Sequence, residues 1–554
     1  MKTLRSYLDE VESSNVATVH FHDGAWREQT YGALRAAVKE TANGFATACG
    51  VKPRTEIASI ILPNSPTWIA CYLALAGTGV GVVPLDPKLR ESEVAYILGD
   101  SCAVLVVTDK AHIPMLRAII PQLPHLRTVV VVDMPGYVGD AESGNVKFIS
   151  LADVRKAQGD GSYFDANRPA ADDVASIIYT SGTTGKPKGA MLTHRNFISD
   201  IEGSLQVFGA PIRAKDSFFI VLPMFHAFSF TTNLVLPLMI GARMCFNQSL
   251  RTVAQDLRTL RPSLMMAVPL LAEKLHNKIE ESLAKSRLAR FLMKIGLRGP
   301  VMHMVRLQLG GRLRFIITGG APCPRPVLEG FNRIHVRFLE GYGLTECSPV
   351  VSVCPPEVKK CGTIGRPIGG IEVRLADQNE QGVGELQVKG DNVMKGYLRN
   401  ESATAEAFDG EWLRTGDLAS MDEEGLITIR GRKKALIVNR EGKNIYPEEV
   451  EHAIAQDPFV SDIIVIGYHV DKTEGEFVGA IVHPNEDIAK LKFPEAAGDW
   501  AKLEKLAIEH VRERTMQLAD YKRPRKIVVV KEELERTAIK KVRRVAYQGA
   551  LDEK

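Results

Sequence analysis

Residues Ile177 to Arg195 read IIYTSGTTGKPKGAMLTHR. An apolar, β-type entry runs into Thr180, Ser181, Gly182, Thr183, Thr184, Gly185, Lys186, Pro187, Lys188 and Gly189. Small residues let backbone N–H groups approach an anion closely, hydroxyls add donors and two lysines add charge, so this loop is built to hold phosphate. It is not a Walker A loop, because Pro187 rather than Ser or Thr follows Gly185-Lys186 and the glycine spacing also differs. A P-loop NTPase is therefore disfavoured.

Outward from this loop, apolar β-rich runs alternate with helical patterns. IASIILPN, VGVVPLD, AVLVVTD and LRTVVVVD precede it; DSFFIVLPMFH, ARMCFNQ, PSLMMAVP and LRFIITGGA follow. Such alternation predicts βαβ units and mostly parallel, doubly wound sheets, arranged as two α/β halves over about residues 1–360. From about 361 to 432 the texture changes to short strands with turn signals (GGIEVRLAD, GELQVKGD, GEWLRTGDLAS, GLITIRGR), which suits a small β-rich subdomain. From 433 to 554 it becomes α+β: a helix near YPEEVEHAIAQ, strands SDIIVIGY and FVGAIVHP, a long helix around Ala501 to Gln517 and a strand RKIVVVK. The expected fold class is thus α/β, a large N-terminal domain over 1–432 and a small α+β C-terminal domain over 433–554.

Composition narrows the function. With 70 Lys plus Arg against 66 Asp plus Glu in 554 residues, the net charge of +4 is too even for a protein whose main partner is nucleic acid. The eight cysteines contain no C-x-x-C pair, which reads as buried thiols in a reducing compartment. The start, MKTLRSYLDEVESSNV, has no apolar signal core, and no run approaches the roughly 18 apolar residues of a membrane span. A cytoplasmic location is the expectation. One stretch stands out: no acidic residue lies between Glu281 and Glu329, while the cations from Lys285 to Arg314 are interleaved with Leu288, Phe291, Leu292 and Ile295. Peripheral membrane contact is one reading of it, and a solvated face of a surface helix the other.

TSGTTGKPKG resembles the phosphate-loop signature of the AMP-forming adenylating superfamily of acyl-CoA synthetases, luciferases and peptide-synthetase adenylation domains. Its other motifs follow in order: LPMFHAF at Leu222–Phe228, GGAP at Gly319–Pro322, GYGLTE at Gly341–Glu346, RTGDLA at Arg414–Ala419, GRKKALI at Gly431–Ile437, GKNIYPEEVE at Gly442–Glu451 and ERTAIKKVRR at Glu535–Arg544. The resemblance spans essentially the whole chain. It implies ATP, Mg²⁺ and coenzyme A as cofactor and cosubstrates. Thr180 to Gly185 and Lys188 would hold phosphates, with Thr183 and Glu346 at the metal. Gly320, Ala321 and Pro322 would face adenine, with Tyr342 stacking on the purine beside Gly343, and Thr345 would donate to a phosphate. Asp417 and Arg432 are assigned to the ribose, and Phe225, His226, Phe228 and Ser229 to the acyl pocket. Lys434 matches the hinge of a mobile C-terminal domain, and Gly442 and Lys443 the coenzyme A contacts. Lys541 matches the adenylation lysine, with Lys540 as a competitor because Glu535 and Lys540 stand where the family usually has Pro and Gly. Ala435 and Glu441 also depart from the family pattern, the latter leaving Gly442 where two glycines commonly approach the pantetheine arm.

The implied reaction has two halves: a carboxylate attacks the α-phosphate of ATP to give acyl-AMP and pyrophosphate, then a thiol displaces AMP. No carboxylate stands between Phe225 and Phe230 to pair a substrate ammonium, so an apolar acid, a medium- or long-chain fatty acid first and an aryl acid second, is expected. Transfer to an acyl carrier protein and a silent nucleotide-binding relative are the alternatives, and a homodimer is open.

Overall fold

The computed structural model describes residues 2–134, 146–180, 186–209, 212–321, 323–355, 358, 362–439, 443–455, 457–470, 476–536, 542 and 544–552. Compact packing divides the chain into two units, residues 1–373 with 388–413, and residues 374–387 with 414–554. The strands of the sequence-defined β-rich region are thus shared between the two units.

In the first unit the predicted parallel sheets are present. One sheet orders its strands, among the described residues, as Lys147–Ser150, Thr128–Val131, Leu105–Thr108, Ile57–Ile61, Gly81–Leu85, Val174–Thr180 and Lys188–Thr193. All neighbours are parallel except the last pair, the two sides of the phosphate-type loop, which are antiparallel. A second sheet carries six consecutive parallel strands, Arg337–Gly343, Phe315–Gly319, Leu264–Ala267, Ser217–Ile220, Arg243–Phe246 and Val16–His22, with antiparallel strands at both edges. Strands buried on both faces read as continuous apolar runs, which is why VVPL and LVV alternate so little.

The helices follow from the same sequence logic. In Tyr31–Cys49 the residues Tyr31, Leu34, Val38, Ala42, Phe45 and Cys49 recur at helical spacing and are buried; Thr30 caps the start and Gly50, at φ +62°, ends it. Pro66–Ala76 is buried on every face from Trp68 on, begins with Pro at its first position and is capped by Ser65. Its Trp68 and Tyr72 rings stack at 5.3 Å, and Phe230 meets Tyr72 edge-on at 4.8 Å, tying the helix to the second sheet's layer.

In the second unit, helix Pro447–Ala455, strands Val460–Tyr468 and Phe477–Pro484, helix Trp500–Thr515 and strand Lys526–Val529 appear where the sequence placed them. The three strands form one sheet. Arg544 anchors the tail, its Nη2 donating to both Glu451 carboxylate oxygens at 2.8 and 2.9 Å, and Arg536 pairs with Asp462.

Candidate functional site

In the first unit the motifs converge at the C-terminal ends of parallel strands, where open α/β sheets place ligands. Thr180 ends one strand and lies opposite Lys188 across the antiparallel pair. Ser181, Gly182, Thr183, Thr184 and Gly185 lie outside the described residues, as do Pro322, Gly442 and Lys541. The loop's exit is fixed: the Tyr96 hydroxyl donates to the Pro187 carbonyl at 3.1 Å, and Lys186 Nζ stands 5.9 Å from the Tyr96 ring centroid.

Tyr342 and Gly343 end the strand Arg337–Gly343, and Thr345 and Glu346 sit on the short 3-10 turn Thr345–Cys347 just beyond. Only glycine fits at 343, because a Cβ there would lie 1.7 Å from the Pro349 carbonyl oxygen. On the neighbouring strand, Gly319 is followed by Gly320 at φ +86° and by exposed Ala321. Gly319 and Gly341 are register partners, and the Phe228 ring lies 3.7 Å from where a Cβ on Gly319 would stand. Phe228, expected in the acyl pocket, and Gly319, which opens the motif expected at adenine, are therefore adjacent.

A residue that the motifs did not flag joins these pieces. The strap 391–398 is zipped onto the strand leaving the phosphate-type loop through Lys395 N–H to Met191 O, Met191 N–H to Gly396 O and Leu398 N–H to Gly189 O. Its Tyr397 hydroxyl donates to Glu346 Oε1 at 2.8 Å, and Lys188 Nζ lies 5.4 Å from the Tyr397 ring centroid. Met394 N–H holds the Glu346 carbonyl at 2.8 Å. Burial and the Glu346 carboxylate together push the Tyr397 phenol well up, so it stays a hydrogen-bond donor. One Glu346 oxygen is thus engaged by Tyr397. Among the described residues no group of three or more His, Cys, Asp or Glu could hold a metal. A single hard carboxylate beside phosphate-binding residues is nonetheless how Mg²⁺ is commonly held, with substrate phosphates completing its shell.

The strap is itself fixed from the helix His194–Phe208, whose capping box joins Thr193 and Asn196. Asn196 Nδ2 donates to the Asp391 and Val393 carbonyls at 2.7 and 2.9 Å, and Asn392 Nδ2 to the Val350 carbonyl at 2.8 Å. Val350 N–H donates to Asp200 Oδ1 at 2.9 Å. Asp200 is fully buried, and desolvation drives its carboxyl far above the usual range although the Val350 N–H and Asn392 oppose this.

The LPMFHAF turn is clamped by Asn64, which donates to the Leu222 carbonyl and accepts from Met224 N–H, both at 2.8 Å. Phe225 and His226 rings meet at 4.4 Å. Ser229 is buried, donating to the Leu222 carbonyl at 2.8 Å and accepting from Asn233, so its hydroxyl serves the turn. Burial lowers His226 to about 4, with Asp86 opposing the shift, so the imidazole is neutral at pH 7.

In the second unit, Asp417 and Arg432 are cross-strand partners, with Asp417 Oδ1 and Arg432 Nε 2.8 Å apart. The Asp417 side chain is 5% exposed and that of Arg432 56%, so the carboxylate is fixed and the guanidinium faces solvent. Thr415 Oγ1 accepts from Asp417 N–H and donates to the Leu386 carbonyl. An acceptor-only carboxylate held this way suits a vicinal diol. Lys434 lies on the exposed 3-10 turn Lys433–Ala435, and exposed Lys443 has its Nζ 4.7 Å from the Tyr521 ring centroid.

Residues 9–398 match the family model of the AMP-binding enzyme, and residues 449–541 that of the AMP-binding enzyme C-terminal domain. The chain belongs to the AMP-binding enzyme family. Long-chain-fatty-acid–CoA ligase FadD15 of Mycobacterium bovis is 29% identical to it over 491 residues, 83% of this chain and 78% of that protein. Human long-chain-fatty-acid–CoA ligase 1 is 31% identical over 479 residues, 80% of this chain and 66% of that one. Among solved structures, o-succinylbenzoate CoA synthetase from Bacillus subtilis, in complex with its acyl-adenylate intermediate, matches with a TM-score of 0.74 at 25% identity, covering 100% of this chain and 99% of that one. A Mycobacterium tuberculosis fatty acyl CoA synthetase shares the fold with a TM-score of 0.68 at 24% identity, covering 100% of this chain and 99% of that one.

Two expected results for this AMP-binding enzyme follow from its buried titratable groups. Asp200→Asn keeps an acceptor for Val350 N–H and needs no neutralisation, so it is expected to match or exceed the parent in stability at pH 8, whereas Asp200→Ala loses about 2–4 kcal/mol. A raised folded-state pKa contributes stability fully below the ordinary carboxylate value and loses it as pH rises toward the folded value. The advantage of Asp200→Asn in urea melts should therefore grow with pH over that window; no growth contradicts the buried neutral acid. For His226 the sign is reversed: between about pH 6.5 and 4 the unfolded chain binds a proton that the folded chain refuses, so stability falls on acidification, by up to about 3 kcal/mol. His226→Gln is expected to flatten that part of the profile.

Proposed function

We propose that this chain is an AMP-forming acid–thiol ligase that activates a medium- or long-chain fatty acid to acyl-AMP and then to acyl-CoA. The observation that supports it most is the cluster in which Tyr397 joins the phosphate-loop exit at Lys188 to Glu346. A cation and a carboxylate brought together in this way, with Tyr342 on the strand leading to the carboxylate as the proposed purine-stacking ring, suit in-line transfer at a phosphate, where catalysis consists of positioning and charge neutralisation. Mg²⁺, when bound with ATP at Glu346, neutralises charge on the phosphate oxygens. The substrate carboxylate oxygen bonds to the α-phosphorus as the bond to pyrophosphate breaks; the thiol sulfur then bonds to the acyl carbon, AMP leaves and the thiol proton goes to solvent.

The similarity to long-chain-fatty-acid–CoA ligases supports the fatty-acid reading, as does the turn of Phe225, neutral His226 and Phe228, which itself carries no carboxylate to pair an ammonium. In this reading Lys434 is the hinge of the C-terminal domain, Gly442 and Lys443 meet coenzyme A, and Lys541 carries the charge at the α-phosphate. The enzyme works in the cytoplasm with peripheral access to membranes; among the described residues no helix is long and apolar enough to cross one. The test is product analysis with Mg-ATP, a panel of aryl and straight-chain acids, and coenzyme A present or absent. A thioester formed with one chain-length class of fatty acid is the expected result. Acyl-AMP without thioester would move the acceptor to a carrier protein, thioester with aryl acids alone would make it an aryl ligase, and no AMP with any acid would leave a silent nucleotide binder.

A further inference from the structure

The stretch without acidic residues after Glu281 folds into the end of helix Pro269–Lys285 and two further helices, Arg287–Lys294 and Arg298–Gln308. Helix Arg287–Lys294 is properly started, with Ser286 accepting from Ala289 N–H, yet Ala289 is its one buried residue. Leu288, Phe291 and Ile295 are 57%, 59% and 52% exposed, and Met293, Leu297 and Leu307 are exposed as well. At about 100° per residue, Leu288, Phe291, Leu292 and Ile295 share one arc, and Arg287, Arg290 and Lys294 fill the adjoining one. A surface helix ordinarily turns its apolar arc to the core; this one is seated on an alanine and presents Leu and Phe to water.

The charges are as unusual as the apolar residues. Lys285 meets Glu281 at 3.7 Å, but among the described residues no carboxylate pairs with Arg287, Arg290, Lys294 or Arg298. A contiguous apolar patch marks an interaction surface, and cations flanking it select a partner with an apolar interior and an anionic rim. A second copy of the chain fits poorly, because it would set these cations against their own like. We propose that Arg287–Lys294 and its flanks dock on an anionic lipid bilayer, with Leu288, Phe291 and Ile295 entering the acyl boundary and Arg287, Arg290, Lys294 and Arg298 meeting headgroup phosphates. This deepens the membrane contact of the reading above, and binding measured without ATP or acid keeps its failure separate from failure of the ligase assignment.

The full chain is sedimented with phosphatidylcholine vesicles and with vesicles containing about 30% phosphatidylglycerol, at low and high salt, a composition that sets the surface potential basic segments sense. Binding to the anionic vesicles should be about tenfold or more tighter and weaken with salt. Leu288→Glu with Phe291→Glu, and separately Arg290→Gln with Lys294→Gln, should each lower it about tenfold while thermal midpoints stay unchanged, all four side chains being exposed. Equal partition into neutral and anionic vesicles overturns the proposal without any variant. So does unchanged vesicle binding by both doubles, and so does a dimer or protein complex that these substitutions dissolve while vesicle binding persists.

Discussion

Glu346→Gln is expected to lower acid-dependent pyrophosphate exchange by about 10²–10³-fold, equivalent to roughly 3–4 kcal/mol of transition-state stabilisation. The substitution is conservative in every contact the fold makes: an amide oxygen still accepts from the Tyr397 hydroxyl, and the backbone carbonyl still receives Met394 N–H. What disappears is the negative charge, and with it the proposed ligand for a divalent cation on the phosphates. The loss should appear in kcat and in a raised Mg²⁺ requirement, with the melting temperature unchanged. Tyr397→Phe, which frees the carboxylate without discharging it, should cost about tenfold, near the worth of one charge-assisted hydrogen bond. Activity of Glu346→Gln within about threefold of the parent would remove Glu346 from the metal.

Lys541→Ala is expected to lower the first half-reaction by a comparable 10²–10³-fold, because negative charge builds at the α-phosphate as the carboxylate attacks, and a preorganised cation there acts on the transition state more than on bound ATP. Thioester formation from synthetic acyl-AMP has no such charge to neutralise and should fall far less. Lys541 lies outside the described residues, but both flanks are held, since Arg536 and Val542 form a backbone bridge and Arg544 clamps Glu451. Lys540→Ala measured alongside decides between neighbouring lysines. A large loss there with Lys541→Ala near parental activity would reverse the assignment.

Much of the fold was legible because buried parallel strands announce themselves: an apolar run of four or five residues, bounded by turn signals and followed by a helical period, has few other uses. The phosphate-type loop and Gly-Tyr-Gly-Leu-Thr-Glu could be singled out because the chemistry proposed for them is carried by residues close together in the chain. Tyr397 was not, since its role depends on a strap that pairs with the strand Lys188–Thr193, some two hundred residues earlier in the chain. Nothing in NVMKGYLRN marks that tyrosine off from a core residue. Asp200 escaped for the same reason: its partner Val350 is 150 residues away, and an aspartate in an amphipathic helix ordinarily faces water. Ser229 shows the converse, a motif hydroxyl whose bonds to Leu222 and Asn233 are set by a fold that spacing does not reveal. The outward apolar arc of Arg287–Lys294 was half legible, because composition shows the missing carboxylates but not which way the helix is rolled.

Activation through a mixed anhydride with AMP is tested most directly by ATP–pyrophosphate exchange with labelled pyrophosphate, a long-chain acid and Mg²⁺, with no thiol present. The account predicts label entering ATP only when the acid is added, and a collapse of that exchange in Glu346→Gln. Exchange that ignores the acid, or thioester formation without any exchange, would contradict it.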